Sequence, residues 1–334
     1  MDRLLVTGGS GFIGSNFIHF RLSNHPESHI VNLDSMSYGS NPENLAGLAK
    51  DSRYRFVKAD IRDGGKVEEL MAQVDAVVNF AAETHVDRSI SAPSMFLESN
   101  VVGTHVLLEA ARRSNVGKFV QISTDEVYGS AAGGERFDEK TSLNPSSPYA
   151  ASKAAADLFV RAYHKTYGLP VAILRCTNNF GPRQFPEKFI PKTIILAVLG
   201  RKLTIYGNGL QVRDWIYVED FCNAINLVID REANGATHNV SAGNELTNVE
   251  VAGRILRRLG RDEGLMQYVE DRPGHDVRYS LNSNQIREKL GWKPRFAFDE
   301  ALHSTINWYL ANEKWWKPLL NDKVLSAAPW KENW

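Results

Sequence analysis

The chain has 334 residues, 43% of them hydrophobic, which is enough for one large or two moderate domains with a sizeable core. Lys plus Arg and Asp plus Glu each total 39, so no global charge points to nucleic acid or to a membrane surface. Cys176 and Cys222 are the two cysteines; they make no disulfide framework and fit a reducing compartment. The opening Arg3-Leu4-Leu5-Val6 lacks a basic leader with an apolar core, and the longest apolar run, 194–199, is far too short to cross a bilayer. A soluble, cytoplasmic protein is expected.

Taken in order, the pattern predicts strands at 4–7, 29–33, 54–59, 76–79, 119–123 and 171–175, with helical patterns between them. That alternation is the signature of an α/β, doubly wound parallel sheet of Rossmann-like type. The helix over 100–114 carries Val102, Val106, Leu107 and Ala110 at helical spacing. The helix over 148–167 carries Ala151, Ala154, Ala155, Leu158 and Ala162, a small-residue face that suits either close packing on the sheet or a subunit interface. After Gly181 the rhythm loosens at Pro182, Pro186 and Pro191. The chain is expected to rejoin the sheet near 215–229 and 238–240, then to leave for helices at 249–259 and 302–310. Trp308, Trp315, Trp316, Trp330 and Trp334 fall close to the end, which suggests a tail packed onto the body.

Thr7-Gly8-Gly9-Ser10-Gly11-Phe12-Ile13-Gly14 joins the first strand to the first helix. Gly8, Gly11 and Gly14 permit a tight turn and close backbone approach, and the helix N-terminus behind them suits a pyrophosphate. Asp34, at the end of the second strand, is placed to bond a ribose 2′-hydroxyl and to repel a 2′-phosphate, which favours NAD over NADP. Asp60, at the end of the third strand, is placed toward the adenine side. Residues 1–180 with about 213–247 are expected to form this NAD-binding domain, and about 181–212 with 248–334 a smaller, discontinuous substrate domain.

Thr124-Asp125-Glu126 follows the strand-like run 118–122 and puts a hydroxyl and two adjacent carboxylates where a parallel strand ends. Neighbouring carboxylates repel, so one tends to hold a proton while the other ionises. An acid beside a base suits elimination of water, which hydride transfer alone does not require. Adjacency does not say which is which. Tyr149 and Lys153 stand one helical turn apart, where the cation favours phenolate and makes the tyrosine a usable base. Tyr54 and Lys58 share the spacing but lie on a strand, about 13 Å apart. Ser123 or Thr124 completes a hydroxyl–Tyr–Lys set.

Together these features resemble the extended short-chain dehydrogenase/reductase superfamily and, within it, the dTDP-glucose 4,6-dehydratase family. The resemblance is carried by Ala81-Ala82-Glu83-Thr84-His85-Val86-Asp87, Ser123-Thr124-Asp125-Glu126-Val127-Tyr128-Gly129, Asn178-Asn179-Phe180-Gly181-Pro182, Phe185-Pro186-Glu187-Lys188, Val212-Arg213-Asp214-Trp215 and Asp271-Arg272-Pro273-Gly274-His275-Asp276. It covers residues 1 to about 310; Phe180 departs from a more common tyrosine, and the tail past Leu320 has no counterpart in it. Related epimerases usually lack the acid–base pair, and related decarboxylases usually put Ser where Asp125 stands.

The resemblance implies that Tyr149 accepts the 4-hydroxyl proton as C4 is oxidised, aided by Thr124. Glu126 then removes the C5 proton, Asp125 protonates the departing 6-hydroxyl, and hydride returns to C6. It places Phe12, Ile13, Ile61, Ala81, Ala82, Thr84, Asn100, Ser123, Tyr149 and Lys153 at tightly bound NAD+, beside the glycines and both aspartates, and calls for no metal. Arg213 and Arg272 match its diphosphate side, a role that suits arginine. Glu83, His85, Asn178, Lys188, Tyr206, Asn248, His275 and Tyr279 match other substrate positions. The implied substrate is dTDP-glucose, with dTDP over UDP resting on the resemblance and on no assigned residue; the implied product belongs to deoxysugar routes such as that to rhamnose. A homodimer through the helices led by Asn100 and Pro148 is implied as well. A nucleotide-sugar 4-epimerase would leave Asp125 and Glu126 without work, and a silent NAD-binding protein would leave the whole set without work.

Overall fold

The computed structural model describes residues 1–334 other than residue 233. Among the described residues, seven parallel strands form the main sheet, in the spatial order Ala236–Val240, Val171–Cys176, Lys118–Thr124, Ala76–Asn79, Arg3–Thr7, His29–Asp34 and Tyr54–Lys58. The architecture is the expected Rossmann-like α/β fold. The strand order reverses between Arg3–Thr7 and Ala76–Asn79, so the loops that leave these two strands diverge and open a crevice at their carboxyl ends.

The alternation of side chains along a strand explains how both faces are covered. Leu4 and Val6 pack with Phe17, Ile18, Phe221 and Ile225, whereas Leu5 packs with Leu107, Leu108 and Val160. Strands buried on both faces read as continuous apolar runs, which is why these segments were legible without a polar–apolar alternation. The helix Pro148–Tyr167 starts where the Ser147 hydroxyl accepts the Ala150 N–H at 3.1 Å, and Pro148 stands where no N–H is needed. It stops at Gly168, whose φ of 70° ends the helical path.

Val212–Tyr217 departs from the expected return to the main sheet. It is the middle strand of a separate three-stranded sheet, between Glu245–Thr247 and Asn178–Phe180, and Val218–Arg231 after it is a helix. Buried polar side chains need partners, and Arg213 and Asp214 are both buried. In the small sheet they find partners: Arg213 donates to the Asp276 carbonyl at 2.9 Å, and Asp214 accepts from the Asn244 N–H at 2.9 Å. Ala236–Val240 does rejoin the main sheet, beside Val171–Cys176. The helix expected from Asn100 begins earlier, as Pro93–Phe96 followed by a π-turn over Leu97–Val102, before the regular α-helix Gly103–Arg113.

A further apolar cluster gathers Phe180, Ile190, Ile194, Trp215, Val251, Ile255, Phe298, Leu302 and Tyr309, with Trp316 buried in it. The Trp316 indole donates to the Tyr309 carbonyl at 2.8 Å and Trp315 to Asn44 at 2.9 Å, so the tail does pack onto the body. No helix among the described residues is long and apolar enough to cross a membrane.

Candidate active site

The glycine loop closes tightly on the neighbouring strand end. Gly8 has φ 66°, and a Cβ there would stand 2.7 Å from the backbone of Ala81; a Cβ on Gly14 would stand 2.6 Å from the Gly8 carbonyl oxygen. The helix Phe12–Asn24 that follows has no side-chain cap, which leaves its first turn open to an anion. Asp34 accepts from the Ser10 N–H at 2.9 Å and from the Ser40 hydroxyl at 3.0 Å, so it ties the glycine loop to the loop after the second strand. Asp60 stands at the adjoining strand end with its carboxylate paired to Arg62 at 2.8 Å. Gly8, Gly11, Phe12, Ile13, Gly14, Asp34, Asp60, Ile61, Ala81, Ala82, Thr84, Ser123, Tyr149 and Lys153 all line one cleft. Buried polar atoms without a protein partner gather along it, among them Ser123 Oγ, Asp125 Oδ2 and Asn178 Oδ1. These residues fit a dinucleotide.

Thr124, Asp125 and Glu126 stand in the same cleft. Thr124 ends its strand and caps a short 3₁₀ turn: its hydroxyl accepts the Glu126 N–H at 3.2 Å and donates to Asp125 Oδ1 at 3.1 Å. Burial, followed by the charge of Glu126, pushes the Asp125 carboxyl well above the usual range and favours its protonated form. Burial also raises Glu126, but Arg272 and Arg213 pull it back. The two neighbours, symmetric in the sequence, are therefore unequal in the fold, and desolvation rather than mutual repulsion is the larger cause.

At Tyr149 burial works against the effect expected of a nearby cation. Lys153 shares its cleft, yet its ammonium donates to the Ile122 carbonyl at 2.7 Å. Burial and the Glu126 charge push the phenol well above the ordinary tyrosine range, with the Thr124 hydrogen bond pulling the other way. Phenolate is thus not favoured by these protein groups, because the cation is held by a carbonyl and desolvation wins.

The candidate substrate residues fall into two groups. Glu83, His85, Asn178 and Lys188 line the cleft itself. Lys188 donates to the Thr84 carbonyl at 2.8 Å, and burial together with Lys188 and Arg88 pushes the His85 imidazole well down, which favours its neutral form. Most of the second group gathers around Arg213 and Arg272. The Arg213 guanidinium lies over the Tyr279 ring at 4.2 Å, and the Tyr279 hydroxyl donates to Asp276 at 2.7 Å. Arg272 lies 3.5 Å from Asp87, which also accepts from the Tyr206 hydroxyl at 2.9 Å. His275 contacts Asp271 at 2.6 Å, and burial lowers it to about 4. Asn248 heads the helix Asn248–Arg258.

Asn100 is the exception among the cofactor candidates. It does not line the cleft: its amide donates to the Glu83 carbonyl at 3.0 Å and to Ser152 at 2.8 Å, and its carbonyl accepts the Glu83 N–H. The buried backbone of the 81–85 loop needed those partners, so Asn100 braces the cleft wall from behind. Among the lining residues that sequence reasoning missed are Arg88, Glu187 and Tyr38. Arg88 pairs with Glu83 at 3.0 Å and directly follows the 81–87 run that was singled out. Glu187 is buried within the 185–188 run and lies 3.8 Å from His85. Tyr38, whose ring sits 4.1 Å from the Arg88 guanidinium, belongs to a loop with no sequence signal.

Comparison with known proteins agrees with this geometry. Residues 5–305 match the family model described as GDP-mannose 4,6 dehydratase. A dTDP-glucose 4,6-dehydratase of Streptomyces niveus is 46% identical over 331 residues, covering 98% of each chain. The crystal structure of a dTDP-glucose 4,6-dehydratase from Streptomyces venezuelae, with NAD bound, superposes with a TM-score of 0.93 at 48% identity, covering 95% of this chain and all of that one. A UDP-glucose 4-epimerase of Thermus thermophilus in complex with NAD is more distant, at a TM-score of 0.86 and 31% identity over 93% of this chain and 99% of that one. By its sequence from strand to strand and by the site it builds, the chain belongs to the GDP-mannose 4,6 dehydratase family, among whose members dTDP-glucose 4,6-dehydratases are close in both sequence and structure.

Proposed function

We propose that this protein is an NAD-dependent dTDP-glucose 4,6-dehydratase, a hydro-lyase that yields dTDP-4-keto-6-deoxyglucose and water. The observation that carries the proposal is the unequal Asp125–Glu126 pair, set beside Thr124 and Tyr149 in a cleft that begins at the glycine loop. The glycine loop, Asp34, Ser123 and Lys153 would hold NAD, which when bound would accept hydride from C4 and return it to C6.

Tyr149 takes the proton of the sugar 4-hydroxyl while Thr124 holds that oxygen by hydrogen bonding. The 4-ketone acidifies the C5 proton, which Glu126 removes, and a proton is given back to C5 as hydride reaches C6. Asp125, kept protonated by burial, gives its proton to the departing 6-hydroxyl, which leaves as water. Arg213 and Arg272 face the diphosphate, and Glu83, His85, Asn178, Lys188, Tyr206, Asn248, His275 and Tyr279 line the path to it. In this account the main sheet with its helices forms the NAD-binding domain, and about 181–212 with 248–334 forms the nucleotide-sugar domain. The enzyme works in the cytoplasm as a homodimer, supported by exposed Leu97, Val102, Leu158 and Phe159 on the helices that flank the site. Its product feeds deoxysugar synthesis, the rhamnose route included.

Incubation of the purified protein with dTDP-glucose tests this directly. Mass spectrometry should show loss of one water and NMR a 6-methyl group. A galactose isomer of unchanged mass would instead identify an epimerase.

A further inference from the structure

Beyond Leu320 the chain turns back over the cleft walls, and its two indoles land on different sides. Trp334 lies 4.8 Å from the Arg88 guanidinium and meets the Tyr38 ring edge-on at 5.4 Å, so Arg88 packs against two touching aromatic rings while it pairs with Glu83. Trp330, itself buried, meets the Tyr206 ring edge-on at 5.1 Å. Tyr206 in turn donates to Asp87, and Asp87 faces Arg272.

The segment is tied down along its length. The buried Lys192 ammonium donates to the Ser326 carbonyl, and the Ser326 hydroxyl donates to Glu332 at 2.8 Å. The Trp334 indole donates to the Pro329 carbonyl at 2.8 Å, folding the last residue onto the short turn Pro329–Lys331. Val324 is fully buried beneath it. A tail that only filled apolar surface would have no need to place one ring on a cation and another on the tyrosine of a charged relay. A guanidinium packed against two rings loses its freedom to swing, and an edge-on indole fixes a phenol's ring plane.

We propose that residues 321–334 form a strap in which Trp334 and Trp330 are positioning residues for the sugar-nucleotide half of the cleft, Trp334 by fixing Arg88 with Glu83 and Trp330 by fixing Tyr206, Asp87 and Arg272. The inference rests on the cleft being a sugar-nucleotide site. Neither indole lines the cleft that holds Thr124, Asp125, Glu126 and Tyr149, so the strap acts on substrate grip and not on the chemical step. Binding linkage is reciprocal: if the strap aids ligand binding, the ligand steadies the strap.

The test uses the full chain with Trp330→Ala, Trp334→Ala and the two Phe variants. Each Ala variant should raise KM for dTDP-glucose about tenfold, keep kcat within about threefold and retain NAD, while each Phe variant recovers most of the KM. A fall in thermal stability with wild-type KM, or a collapse of kcat at unchanged KM, overturns the proposal. Hydrogen exchange in the wild-type protein needs no variant to fold. Saturating dTDP should slow exchange across 321–334 about tenfold, and an unchanged rate there overturns the proposal as well. Absence of dTDP-glucose turnover by the wild type would defeat the functional proposal instead, and is read separately from the variant-to-wild-type comparison and from the dTDP exchange.

Discussion

Lys153 donates from its ammonium to the Ile122 carbonyl at 2.7 Å, two residues before Thr124 on the same strand. The lysine is thereby fixed at the strand end while Tyr149 is raised by burial and by Glu126. A phenol works as a base only in its deprotonated form, so a raised value puts the rising limb of the pH–rate profile toward higher pH. Lys153→Met removes the one cation on that helix face within the cleft and should move the limb higher still. Activity at pH 7 should fall about 10²-fold or more and recover partly as pH rises, which a kcat/KM profile with NAD content measured alongside would show. A variant with the wild-type profile would remove Lys153 from the account.

Glu126→Gln should separate oxidation from elimination. Loss of a general base costs about 10²–10⁴-fold, and reduced cofactor should build up at 340 nm because the C4 step does not need Glu126. In D2O, the wild-type product should carry deuterium at C5 and the variant should show almost no exchange there. Normal turnover would reassign the base.

How much of this was legible in the sequence depended on whether the cause was local. The glycine loop, Asp34 and the Thr124–Glu126 triplet follow from strand ends and turn chemistry, and every strand in the first 176 residues fell within one residue of its expected bounds. What escaped was set by tertiary partners. The return to the main sheet expected near 215–229 is instead the strand Val212–Tyr217 of another sheet and the helix Val218–Arg231, an outcome tied to the burial of Arg213 and Asp214 among distant partners. Asn100 carries the right residue type for a ligand, yet the Glu83 backbone claims its amide. The inequality of Asp125 and Glu126 depends on burial and on arginines about 90 and 150 residues away in sequence, which no local pattern reports.

Beneath the site, Arg175 and Asp157 form a fully buried pair at 2.9 Å, and Arg175 also donates to the Tyr128 hydroxyl at 2.7 Å. Removing one partner strands the other charge away from water. Arg175→Met should cost about 3–5 kcal/mol in urea denaturation, and adding Asp157→Leu should restore part of that loss. A single variant within error of wild type would show that the pair carries no stability.

The proposed subunit contact is open to a similar test. Leu97, Val102, Leu158 and Phe159 are 57%, 46%, 54% and 40% exposed, a poor arrangement for an isolated chain. Leu158→Asp with Phe159→Glu should convert a dimer to a monomer by light scattering without altering the fold by circular dichroism. A wild-type protein that is already monomeric would contradict the proposal.

The central claim is that one cleft oxidises C4, eliminates water across C5 and C6, and returns the same hydride to C6. dTDP-glucose deuterated at C4 measures this in one product spectrum. The account predicts deuterium in the C6 methyl of a 4-keto-6-deoxy sugar. Deuterium retained at C4 of a galactose isomer, or a dehydrated product with no label at C6, would contradict it.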